Sequence, residues 1–157
     1  MKTITYFFLT VLIIFSNIGC AHAQTSIEDK QAMQMLKEFY IAHNIAWSVA
    51  RTTGPYVLIK KLDSLQKKYC SVRMRKELKE EQKKNGLDYD LLTNDEHADV
   101  KHLKTLTITK DATKTNGYTV SYIASNTDPT GKPIDEKAVI HVTVVKENEG
   151  LKIASVK

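Results

Sequence analysis

The hydrophobic pattern changes period part-way along the chain, and that change organises the reading. In Lys137-Ala-Val-Ile-His-Val-Thr-Val-Val-Lys146 the β-branched residues are too dense for a comfortable helix. Ala138, Ile140, Val142 and Val144 fall on one face of a strand, and Val139, His141, Thr143 and Val145 on the other. Three similar runs flank it: Lys104–Lys110, Tyr118–Ala124 and Leu151–Val156. They are divided by Asn116-Gly117, by the polar loop Asn126–Pro133 and by Glu147-Asn-Glu-Gly150, so an antiparallel meander is predicted.

Upstream the period is helical. Ala32, Met35, Leu36, Phe39, Tyr40, His43, Ala46 and Trp47 define one face of a helix from Ile27 to about Ser48, with Ser26 as N-cap and Asp29 completing a weak capping box. Gly54-Pro55 ends it and opens a second helix, Pro55–Tyr69. The stripe Leu58, Leu62, Leu65 and Tyr69 of that helix is expected to pack on the sheet. A third helix, Val72 to about Lys84, has Met74 and Leu78 inward and stops at Asn85-Gly86. Helices first and a meander afterwards predict an α+β domain, with N-terminal helices packed on a four-stranded antiparallel meander.

The first residues follow another logic. Tyr6–Phe15 is almost unbroken apolar, with Lys2 before it and small residues after it. This is the layout of a secretory signal peptide. The run is about half the ~20 residues that a membrane span requires, so no membrane span is expected. Ala21-His22-Ala23 places cleavage before Gln24, giving a leader of Met1–Ala23 and one domain from Gln24 to Lys157. Ile18-Gly19-Cys20 offers the alternative of a lipoprotein anchored through Cys20, although Asn17 stands where a lipobox usually has Leu. The favoured expectation is an exported protein, periplasmic or secreted.

Without that leader the net charge falls from +5 to +4, since only Lys2 is lost. The remaining cations alternate with carboxylates around Lys60–Glu81 rather than forming a stripe over aromatics, which argues against nucleic acid. Cys70 is then the one cysteine apart from a lipidated Cys20, so no internal disulfide is available. Its place at the end of an apolar stripe predicts a buried small hydrophobe.

Leu87–Asp99 is rich in carboxylates, yet as a calcium loop it puts Leu92 at the fifth place and Thr93 where the turn glycine belongs. His97 and His102 are five apart, wrong for a helical zinc pair. No metal and no cofactor are expected, and Thr93 with Glu96 is instead predicted to cap a short helical turn.

The Tyr69-Cys70-Ser71 junction, Leu87-Asp88-Tyr89-Asp90 with Asn94-Asp95, and the closing Gly150-Leu-Lys-Ile-Ala-Ser-Val156 together resemble the exported bacterial domain-of-unknown-function family 3828, over Thr25 to Lys157. Leu91 and Asn94-Asp95 replace that family's proline and glutamine-aspartate pair, and Leu151 its tryptophan. The resemblance implies a nuclear-transport-factor-2-like cone, with helices packed into a strongly curved sheet, and it transfers no catalytic residues. Cones of this kind can hold a pocket between helices and sheet. Its candidates here are Tyr40, His43 and Trp47 on the first helix and Tyr122 and His141 on strands. A non-catalytic module binding a small molecule or a protein is the leading expectation. An isomerase- or hydratase-like enzyme and an immunity-type partner-binding protein are the alternatives.

Overall fold

The computed structural model describes residues 26–86, 90–93, 99–127 and 130–157, so the expected leader lies outside the described residues. Among the described residues three helices come first: α1 (Ile27–Thr53), α2 (Pro55–Tyr69) and α3 (Val72–Asn85). A 3-10 turn (Val100–Lys104) leads into strands β1 (Thr107–Lys110), β2 (Gly117–Thr127), β3 (Pro133–Glu147) and β4 (Gly150–Val156). The four strands form one antiparallel sheet in the order β1-β2-β3-β4, which is the predicted α+β meander.

The helix boundaries follow from capping. The Ser26 side chain accepts the Asp29 N–H at 2.9 Å and starts α1. The helix runs past the expected end at Ser48 to Thr53, because nothing before Gly54 interrupts the backbone ladder. Gly54 takes a φ of 83°, in the region open to glycine, and donates its N–H to the Ala50 carbonyl. Pro55 then begins α2 at once, where a missing N–H costs nothing. One residue thus turns the chain back, and α2 lies against α1. Ser71 repeats the device for α3, accepting the Met74 N–H at 3.1 Å.

Boundaries of β1, β2 and β3 differ from expectation, β2 running to Thr127 instead of ending at Ala124. The Val100–Lys104 segment is a 3-10 turn capped by Asp99, whose carboxylate accepts the Lys101 N–H at 2.9 Å, and this shortens β1 to Thr107–Lys110. β3 begins at Pro133 rather than Lys137, because Thr127 pairs with Pro133 and the intervening residues continue the β2–β3 ladder. Ser125 Oγ donates to Asp135 Oδ1 across that extension at 2.6 Å.

Sheet register puts Tyr118 opposite Val142, Val120 opposite Ile140 and Tyr122 opposite Ala138. These residues share one face, and that face is buried against Leu36, Phe39 and Tyr40 of α1. A shift between Thr143 and Val144 changes the register against β4, so that Val142 meets Val156 and Val144 meets Ile153. The far edge of β4 is covered by the α2–α3 junction: Ser71 N–H donates to the Ile153 carbonyl at 2.9 Å, and Cys70 bridges to Ile153 in parallel. Cys70 is buried there, as its sequence position implied, and burial pushes its thiol up to about 12.

One packing expectation fails. Leu58 and Leu62 do not reach the sheet; with Ala46 they form a smaller cluster between α1 and α2, flanked by Trp47, Ala50 and Leu65. Further along that stripe, Leu65 packs against both clusters and Tyr69 belongs to the main core. The reason is the sharp turn at Gly54, which lays the first part of α2 along α1.

Replacing Leu36, fully buried in the main core, by Ala is expected to cost about 2–5 kcal/mol, the usual range for a buried leucine. Leu62→Ala should fall toward the low end of that range, its cluster being small and at the margin, and Ile123→Ala on the exposed face should cost under about 1 kcal/mol. Urea unfolding of the three variants orders them; equal losses at Leu36 and Ile123 would contradict the assignment of the sheet's two faces.

Candidate functional site

The buried polar groups of the helical half converge on one carboxylate. His43 and Trp47 are one turn apart on α1 and project to the same side. Facing them is Asp90, at the start of a turn that covers this end of the core. Trp47 Nε1 donates to Asp90 Oδ2 at 2.9 Å, and the Leu92 N–H donates to Oδ1 at 2.9 Å. His43 Nε2 lies 2.8 Å from Oδ2. At that distance the imidazole nitrogen and the carboxylate are in direct contact, and Nδ1 has no hydrogen-bond partner among the described residues. Tyr40, one turn earlier, donates its hydroxyl to the Leu92 carbonyl at 2.9 Å. The turn is therefore held to α1 through both its acid and its backbone.

Burial alone would raise the Asp90 carboxyl. The His43 imidazole outweighs it, together with the Leu92 N–H and the Trp47 indole, and holds the group below its usual range. Tyr40 is pushed well up by burial and then by the neighbouring Asp90. Its phenol therefore stays protonated and serves as a donor.

The other candidates lie elsewhere. Tyr122 is buried on β2, and its ring stacks on His102 with centroids 4.7 Å apart. His102, weighed above as a metal ligand, is thus a ring in the core beside the Asp99 cap, and His97 lies outside the described residues. His141 is exposed on β3, between the buried Ile140 and Val142, so it points away from the helices. Its neighbour is Thr119, with Oγ1 3.5 Å from Nδ1. The structure brings Tyr40, His43 and Trp47 together around Asp90, puts Tyr122 in the same core cluster as Tyr40, and leaves His141 on the opposite, exposed face of the sheet.

The carboxylate-rich loop contributes through a residue that the sequence reading placed otherwise. Asp90 stood there as one acid of a loop that fails as a calcium site; in the fold it is the partner of α1. The turn that Thr93 and Glu96 were expected to cap lies outside the described residues; the Thr93 N–H itself donates to the Asp90 carbonyl at 3.2 Å. The only signal for Asp90 was indirect, namely two N–H donors spaced four apart on an apolar stripe.

Trp47 and Asp90 also form one wall of an open cavity of about 340 Å³. Ile59 and Leu62 of α2 and Leu78 of α3 supply further apolar surface. Tyr56 stands on α2 with 78% of its surface exposed. Lys60, Lys79, Gln66 and Gln82 supply the polar lining. This is a half-apolar cleft that opens between helices, not a pocket under the sheet.

No protein-family model matches the chain, and no curated protein matches it. Among solved structures it is similar to a protein of unknown function from Bacteroides thetaiotaomicron, with a TM-score of 0.66 and 21% identity over 83% of this chain and 91% of that one. At that identity the likeness carries the architecture and no residue roles.

Asp90→Asn should destabilise the protein by about 1–3 kcal/mol at neutral pH, since it leaves buried donors poorly matched. The sign with pH follows from the lowered carboxyl: the stability it supplies is present above the unfolded value near 3.9 and is lost as pH falls through the folded value. Stability curves of the native protein and the variant should therefore converge below about pH 4. A gap that is constant from pH 7 to pH 3 would show that the charge is immaterial.

Proposed function

We propose that this protein is an exported, non-catalytic binding module of the nuclear-transport-factor-2-like type, whose ligand is a small amphipathic molecule held in the cleft beside Trp47. The supporting observation is that cleft: its volume is at the lower end of the range for small-molecule sites, and it combines an indole and aliphatic walls with a few polar groups. An apolar body would lie on Trp47, Ile59 and Leu62, with its polar edge toward Lys60 or Gln66.

An acid–base role fits these residues poorly. His43 is 1% exposed, and Asp90 is already engaged by three groups, so neither is offered to a substrate. A protein partner laid across the outer face of the sheet is also disfavoured. There Val139 pairs with Ser121 and Ile123 with Lys137, so apolar positions alternate with polar ones instead of forming a patch.

Trp47 is the single tryptophan, so its emission reports on the cleft. Titration with 8-anilinonaphthalene-1-sulfonate, an aromatic amphiphile, should quench Trp47 at saturable stoichiometry. Ile59→Glu, at a position 42% exposed, should abolish quenching without unfolding the protein. Equal binding by the variant would place the dye elsewhere and sink the assignment. Export has its own check: mass spectrometry of the protein from the cell envelope should find Gln24 at the N-terminus, whereas a lipid on Cys20 would make it membrane-anchored.

A further inference from the structure

A second cavity, of about 380 Å³, lies where the α2–α3 junction meets the β3–β4 turn. Its lining is dominated by charge: Lys67, Arg75 and Lys152 face Glu147 and Glu149. The cations are unequally satisfied. Lys67 is tied to Asp63 at 2.7 Å on its own helix. Lys152 is 5% exposed, an unusual burial for an ammonium. Its Nζ donates to the Lys68 carbonyl at 2.8 Å, in the last turn of α2, and to Glu149 at 3.2 Å. Glu149 is 81% exposed, so its carboxylate is well solvated and compensates the buried charge weakly. Arg75, half-buried on α3, makes no ion pair among the described residues, and its Nε is buried without a hydrogen-bond partner. A guanidinium with no ion pair among the described residues and an ammonium with a loosely held counter-ion therefore line one cavity, and an oxyanion would supply acceptors to both.

We propose that this cavity is a binding site for a small oxyanion, a phosphate or carboxylate group held between Arg75 and Lys152. The site is independent of the cleft beside Trp47. Cys70 lines the same cavity, and both cations oppose the burial that raises its thiol. Glu149 would turn outward into water as the ligand enters, and Glu147, half-buried on β3, would disfavour ligands carrying a second anionic group on that side.

The test is thermal unfolding and calorimetry of the folded protein with inorganic phosphate and, separately, with acetate, each against sodium chloride at matched ionic strength. A rise in Tm beyond the chloride control with phosphate assigns a phosphate-type ligand; a rise with acetate alone assigns a carboxylate. Arg75→Gln should weaken that binding about tenfold, as expected for loss of roughly one charge-assisted contact. Because Arg75 makes no ion pair, this variant should keep the native Tm in chloride. Arg75→Lys, which keeps the charge without the fork, should fall between. Equal shifts with all three salts, or an Arg75→Gln variant that binds as the native protein does, would overturn the proposal.

Discussion

The structure depends on α1 being buried on two sides at once. Leu36, Phe39 and Tyr40 close the core over the sheet, while Ala46, Trp47 and Ala50, further along, form the base for α2. A helix with so much of its surface covered must satisfy its polar side chains locally, because buried polar groups without partners are costly. Asp90 answers that demand for Trp47 and His43. Its carboxylate is in turn tolerated at that depth because those groups surround it.

The same logic ties the N-terminus of α1 to the sheet. Asp29 accepts from its cap Ser26, from the Tyr118 hydroxyl at 2.8 Å and from Lys110 at 3.1 Å. Tyr118 and then Ser26 and Lys110 draw its carboxyl down to about 2. One carboxylate thus locks the start of α1 to the β1–β2 hairpin, and another locks the far part of α1 to the turn after α3. Between them lies the apolar interface that contributes most of the burial.

The two cavities arise where this arrangement leaves gaps. The cleft beside Trp47 exists because α2 doubles back along α1 at Gly54 and α3 then diverges from it at Ser71. The charged cavity exists because the α2–α3 junction covers the edge of β4 while the β3–β4 turn extends beyond it. Helix ends and turn residues meet at both places.

Much of the architecture was legible in the chain itself, for a local reason. Element type follows from the period of the apolar residues, and most boundaries follow from Ser26, Gly54-Pro55, Ser71 and Asn116-Gly117, whose conformational preferences act over a few residues. The alternation in β2 and β3 sorted their residues onto two faces before any pairing was known, without telling which of the two is buried. What the chain could not disclose was set by contacts distant in sequence. Leu58 and Leu62 look the same on a helical stripe whether they meet a sheet or another helix, and only the turn at Gly54 decides. His141 sits in an alternating run whose two faces both carry valines, so its exposure depended on which face α1 covers. Asp90 lies 43 residues from Trp47, and no local rule links a loop carboxylate to an indole across that separation. The long-range pairing of buried charge with buried donors is a property of the folded interior alone, because the cost that enforces it arises only once water has been removed.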